Sequence, residues 1–119
     1  MRNFRELDVW KNGMYLVRNI YGLLEDFPNT EKFGLTSQLS RCAVSIPSNI
    51  AEGCSRESQR EFTRFLQIAL GSSFELETQL IISKELEFIS ETDFQDVFDK
   101  LNTLQKQIYS LKKYADSQN

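Results

Sequence analysis

Gln38, Arg41, Ser45, Asn49 and Glu52 recur at intervals of three or four residues, the spacing that aligns side chains along one flank of an α-helix. At 100° per residue they fill an arc of about 80°. Donors, acceptors and both signs of charge in one line suit two roles. One is a surface that receives a ligand or partner. The other is a polar seam of hydrogen bonds to neighbouring helices, or a merely solvated flank. Ser45 and Asn49 are poor mid-helix residues intrinsically, so a specific hydrogen-bonding task is expected of them. Glu77 falls within an apolar arc of a different segment, where an unpaired carboxylate is costly; Arg41 is the expected partner. Arg56, Arg60 and Arg64, at i, i+4 and i+8, form a basic ridge. Such a ridge is either a solvated charged face or a row of guanidinium groups that contacts phosphates.

Other chemistry is missing. The sequence has no histidine, hence neither the commonest general base nor the commonest zinc ligand. Cys42 and Cys54 form no C-x-x-C pair and read as free thiols, Cys42 as a small core residue on an apolar stripe. There is no glycine-rich phosphate loop. Di-metal bundles draw on Glu-x-x-His pairs, which this chain cannot supply. No catalytic residue, cofactor or metal site is expected, and the chain reads as a non-enzyme.

The elements that carry these residues are helical. Five glycines and two prolines in 119 residues leave little turn chemistry. Four segments carry apolar residues at threes and fours. The first, Leu7 to Asp26, has Leu7, Trp10, Met14, Val17, Tyr21 and Leu24 on its stripe and stops before Pro28. The second, Glu31 to Glu52, is capped by Thr30, passes through Pro47 with a kink and ends at Gly53. The third starts at the capping box Ser58-Gln59-Arg60-Glu61 and runs to Leu86. The fourth starts at a second box, Thr92-Asp93-Phe94-Gln95, and frays from Ala115. Short connections make neighbours antiparallel, and the fold expected is an all-α, up-down-up-down four-helix bundle, one domain over residues 1–119. The third helix is apolar over roughly 180°, wider than one bundle core requires, which leaves surface for another subunit. Gly71, Ser72 and Ser73 are small enough for a helix of that subunit to approach.

Net charge is −3, without the basic excess usual among nucleic-acid binders. The distribution is uneven: residues 1–60 hold eight bases and seven acids, residues 61–119 six and ten. No run approaches the ~18 apolar residues of a membrane span, and the start of the chain has no apolar leader. A cytoplasmic protein that does not engage membranes is expected.

Gly34-Leu35-Thr36-Ser37-Gln38-Leu39-Ser40-Arg41-Cys42-Ala43-Val44-Ser45-Ile46-Pro47-Ser48-Asn49-Ile50-Ala51-Glu52-Gly53 resembles the signature of the four helix bundle proteins, also called 23S rRNA intervening-sequence-encoded proteins. Phe65 to Glu77 is similar to that family's second signature, and Leu7-Asp8-Val9-Trp10 and Phe27-Pro28 fit as well. Cys42 stands where the family more often has Ala. The resemblance implies an antiparallel bundle and an assembly, since relatives form pentameric rings. It also implies a tie to RNA, because some members are encoded within ribosomal RNA genes and a related group serves retroelements by binding RNA and a reverse transcriptase. The function expected is a non-enzymatic oligomeric scaffold that binds RNA or an RNA-processing protein, in a ring of five copies, with Arg56, Arg60 and Arg64 as nucleic-acid contacts. The alternative is a protein adaptor without a nucleic-acid role.

Overall fold

The computed structural model describes residues 2–118. Among the described residues there are four α-helices, α1 (Asp8–Leu24), α2 (Leu35–Cys54), α3 (Gln59–Glu85) and α4 (Glu91–Asp116), with 3-10 turns at Phe4–Glu6 and Asn29–Glu31. Each helix packs on the next and α4 closes on α1, while the diagonal pairs do not meet. This is the expected up-down-up-down bundle, 45 Å long and 23 × 20 Å across. A 27-residue α3 at 1.5 Å per residue spans about 40 Å, nearly the whole length.

Leu16, Ile20, Leu39, Ile46, Ile50, Leu66, Leu76, Leu80, Leu101, Leu104 and Ile108 fill the core almost without exposure. The stripe expected on α1 is displaced. Val9, Gly13, Leu16 and Ile20 face inward, Trp10, Val17 and Leu24 pack at the edge, and Met14 and Tyr21 are 39% and 50% exposed. Apolar residues lie around more than one face of α1, and packing chooses between them. A Cβ built on Gly13 would lie 3.4 Å from the Pro47 ring, so these residues mark the close crossing of α1 and α2. α2 runs through Pro47 without ending, as expected.

Four helix ends differ from their sequence readings. α2 begins at Leu35, not Glu31, because residues 29–31 form a 3-10 turn. Thr30 does not cap it; the Glu31 carboxylate accepts from the Leu35 amide at 3.2 Å. Gly53 does not end α2, which continues to Cys54 with no glycine at positive φ. Ser90 rather than Thr92 caps α4, accepting from the Asp93 amide at 3.1 Å. At the C-terminal end α4 does not fray from Ala115: that residue is 1% exposed and docks on the core. The Ser58 cap of α3 is as expected, its hydroxyl accepting from the Glu61 amide at 3.1 Å.

α3 ends in a Schellman motif, with Phe88 N bonded to Ser83 O at 2.9 Å and Glu87 N to Lys84 O at 3.0 Å. The left-handed residue of this motif is Glu87, at φ 65°, where glycine is usual. Glu87→Gly should therefore raise stability by about 1 kcal/mol. A melting temperature unchanged or lowered by the substitution would contradict this.

Candidate nucleic-acid interface

Two residues of the polar stripe on α2, Gln38 and Ser45, form a seam with α3. Ser45 Oγ and Ser72 Oγ are 2.8 Å apart, Asn49 Nδ2 donates to Ser45 O at 2.8 Å and to Ser45 Oγ at 2.9 Å, and Gln79 Nε2 donates to Gln38 Oε1 at 3.3 Å. Of the two readings the sequence left open, the structure favours helix-to-helix bonding for Gln38 and Ser45, while Asn49 bonds back to Ser45 within α2. Arg41 does not pair with Glu77. Arg41 is exposed, and the half-buried Glu77 accepts from Gln105 Nε2 at 2.9 Å. The reason is placement: buried Gln105 on α4 reaches Glu77 directly and also donates to Ser73 O at 3.4 Å. Ser72 and Ser73 are thus used within the bundle, and of the three small residues on α3 only Gly71 has open space beside it. Cys42 sits at the same seam, its thiol 3.7 Å from the Glu75 carboxylate, and burial pushes that thiol up.

Arg56, Arg60 and Arg64 are all exposed. Arg56 pairs with Glu52 at 3.2 Å and Arg64 with Glu61 at 3.1 Å. Both guanidinium carbons lie 4.8 Å from the centre of the Phe65 ring, so one aromatic seats two of the three arginines. The structure adds two arginines that the sequence reading missed. The 3-10 turn at Phe4–Glu6 lies against the end of α2. It brings Arg2 over the Phe62 ring at 3.9 Å and Arg5 over Phe4 at 4.3 Å. Arg2 lines a cavity of about 530 Å3 with Ser55, Arg56 and Glu57, and a second of about 330 Å3 with Asn3, Phe4, Arg5, Cys54 and Ser55. No periodicity links residues 2–5 to 56–64; only the antiparallel topology does. Among the described residues no ion pair engages Arg2, Arg5 or Arg60.

The same topology sorts charge along the bundle. Residues 2–11, 52–64 and 106–118 lie at one end and hold nine bases and six acids, a net of +3. Residues 25–34 and 84–100 lie at the other and hold three bases and nine acids, a net of −6. An acidic chain therefore presents a basic end. Among the described residues no cluster of His, Cys, Asp or Glu fits a metal ion, and no helix is long and apolar enough to cross a membrane.

The sequence model of the 23S rRNA-intervening sequence protein family matches residues 5–110. The chain belongs to this family. A crystal structure of a protein with unknown function from the S23 ribosomal protein family of Bacteroides thetaiotaomicron has the same fold, with a TM-score of 0.82 and 25% sequence identity over 88% of this chain and 98% of that one. No curated protein matches. The family carries a shared fold with no assigned activity, and nothing in these comparisons points to catalysis.

Proposed function

We propose that the chain is a non-enzymatic scaffold that assembles with copies of itself and holds RNA by its phosphates at the arginine end. One observation carries the reading: five arginines from two distant segments gather at a net-positive end, and three of them have no ion-pair partner among the described residues. Guanidinium groups that lie on aromatic rings have their faces occupied and their N–H edges turned to other acceptors, the geometry that suits phosphate oxygens. The aromatic rings beneath them, Phe62 and Phe65, are 2% and 8% exposed and offer no platform for base stacking. Binding on this reading is through the backbone of the nucleic acid, and the cytoplasm is where it would take place.

The test is a titration of structured ribosomal RNA at several salt concentrations. The expected result is affinity that falls log-linearly with salt, as counterion release requires. Absence of binding at low salt, where phosphate contacts are strongest, would overturn the RNA reading.

Self-association is the second part of the proposal, as a closed ring of five copies. Ile68, Phe74 and Ile82, 38%, 53% and 39% exposed, lie with Gly71 on the outer side of α3. An apolar helix face of this kind marks an interface, and a ring needs two unlike surfaces of each subunit to meet. In a ring each copy repeats the arginine end, so modest sites combine by avidity. Light scattering on the eluted protein should give about five times the 13.9 kDa chain mass. A monomer mass at micromolar concentration would end the ring.

The alternative, a protein adaptor, draws on the acidic end, where Phe33 is 89% exposed and Leu86 54%. Partners that survive nuclease treatment of a pull-down would favour the adaptor; partners lost with the RNA would favour the scaffold.

A further inference from the structure

We propose that the smaller cavity at the arginine end cradles a terminal phosphomonoester, so that the protein grips an RNA chain by its phosphorylated end. The inference rests on the phosphate-binding reading above and narrows it from any backbone phosphate to a chain terminus.

The two neighbouring cavities differ in charge. The larger, about 530 Å3, is lined by Arg2 and Arg56 together with Glu57. The smaller, about 330 Å3, is lined by Arg2 and Arg5 and by no acidic residue. Two positive groups without an opposing acid match a terminal phosphate, which carries close to two negative charges near neutral pH and three terminal oxygens. A phosphodiester inside a strand carries one charge and is flanked by sugar on both sides. The space opens to solvent, so the end of a chain can enter it.

The donors are held in place. Arg2 lies on Phe62 and Arg5 on Phe4, so each guanidinium has a face covered; Arg2 keeps its N–H edges for a ligand, and Arg5 keeps those not given to Asn3. Asn3 Oδ1 accepts from the Arg5 backbone amide at 3.2 Å and from Arg5 Nη1 at 3.4 Å, which assigns the side-chain NH2 of Asn3 as a further donor. Ser55 already donates its hydroxyl to Glu52 O at 2.7 Å and adds a wall more than a donor. Cys54 lines the same cavity and is 1% exposed; burial pushes its thiol up while the nearby Arg2 charge pulls it down, and the thiol contributes no negative charge against an anion. Glu57, across Arg2 in the larger cavity, repels a second phosphate there but accepts hydrogen bonds from ribose hydroxyls. The first nucleotide then lies with its phosphate between Arg2 and Arg5 and its sugar towards Glu57.

The experiment compares one short single-stranded RNA in three forms: 5′-phosphate, 3′-phosphate, and hydroxyl at both ends. Fluorescence anisotropy with the full chain at moderate salt should show one phosphorylated form binding about 10-fold more tightly than the hydroxyl form. Which form gains identifies the end that is gripped. Arg5→Ala, at an exposed position, should remove that gap, whereas Arg64→Ala, outside both cavities, should weaken all three forms alike. Equal affinity for the three forms overturns the cradle and leaves the RNA reading standing. Failure of every form to bind at low salt overturns both.

Discussion

Alanine at position 53 is expected to destabilise the bundle by about 2 kcal/mol, and leucine there by more. A Cβ at Gly53 would lie 2.8 Å from Phe65 Cβ and 3.3 Å from Phe62 Cδ1, closer than side chains pack. Phe62 and Phe65 are 2% and 8% exposed, so neither ring has solvent to swing into, and α2 and α3 must separate instead. The expectation runs against intrinsic propensity, since alanine ordinarily gains about 1 kcal/mol over glycine inside a helix. Gly22 supplies the contrast: it lies within α1, it is exposed, and nothing stands within 4 Å of its Cβ position. Gly22→Ala should therefore stabilise by roughly 0.5–1 kcal/mol. Urea midpoints for the two variants should move in opposite directions, with unchanged slopes. A neutral or stabilising Gly53→Ala would mean that the helix contact is looser than described.

Neutralising Arg5, Arg56 and Arg60 together should weaken RNA binding on the order of 100-fold at low salt, about 5-fold for each guanidinium, and lower the salt slope by about two to three. Converting Glu85, Glu87 and Glu91 to glutamine shifts net charge by the same amount in the opposite sense. It should change affinity little, because those residues lie at the far end of a 45 Å bundle, several screening lengths of about 10 Å away. If the two triple variants changed affinity equally and oppositely, binding would depend on net charge and not on a site.

Much of the fold was legible because helix periodicity and caps are local. The four apolar segments, the Ser58 box and passage through Pro47 follow from near neighbours in the chain. Misreadings arose where tertiary contact decides. Met14 and Tyr21 fit a helical stripe as well as Val9 and Leu16 do, and only the close approach of Gly13 to Pro47 selects the inward face. Gly53 has the composition of a helix stop, yet its purpose is to admit the Phe62 and Phe65 rings. Ser90 and Thr92 are both competent caps two residues apart, and Ser90 is the one whose hydroxyl accepts from a first-turn amide, that of Asp93.

The candidate site was legible only in part. Arg60 and Arg64 share a helical spacing on α3, whereas Arg56 lies in the loop before it and meets Arg64 over the Phe65 ring. Arg2 and Arg5 join them because antiparallel packing returns α2 to the end where the chain begins, a long-range fact without a periodic signature. Arg41 and Glu77 were matched by charge, but a neutral amide, Gln105, is the actual partner of Glu77. The acidic overall composition concealed the basic end, since the excess acid is gathered some 45 Å away, along the bundle's long axis.

Hydrogen exchange of the protein with and without single-stranded RNA tests the central claim most directly, because it reports where along the bundle the polyanion lies. Slowed exchange confined to residues 2–8 and 54–64 is the predicted result. Protection centred on residues 84–93, or none at any site under conditions where RNA is bound, would contradict the arginine end as the interface.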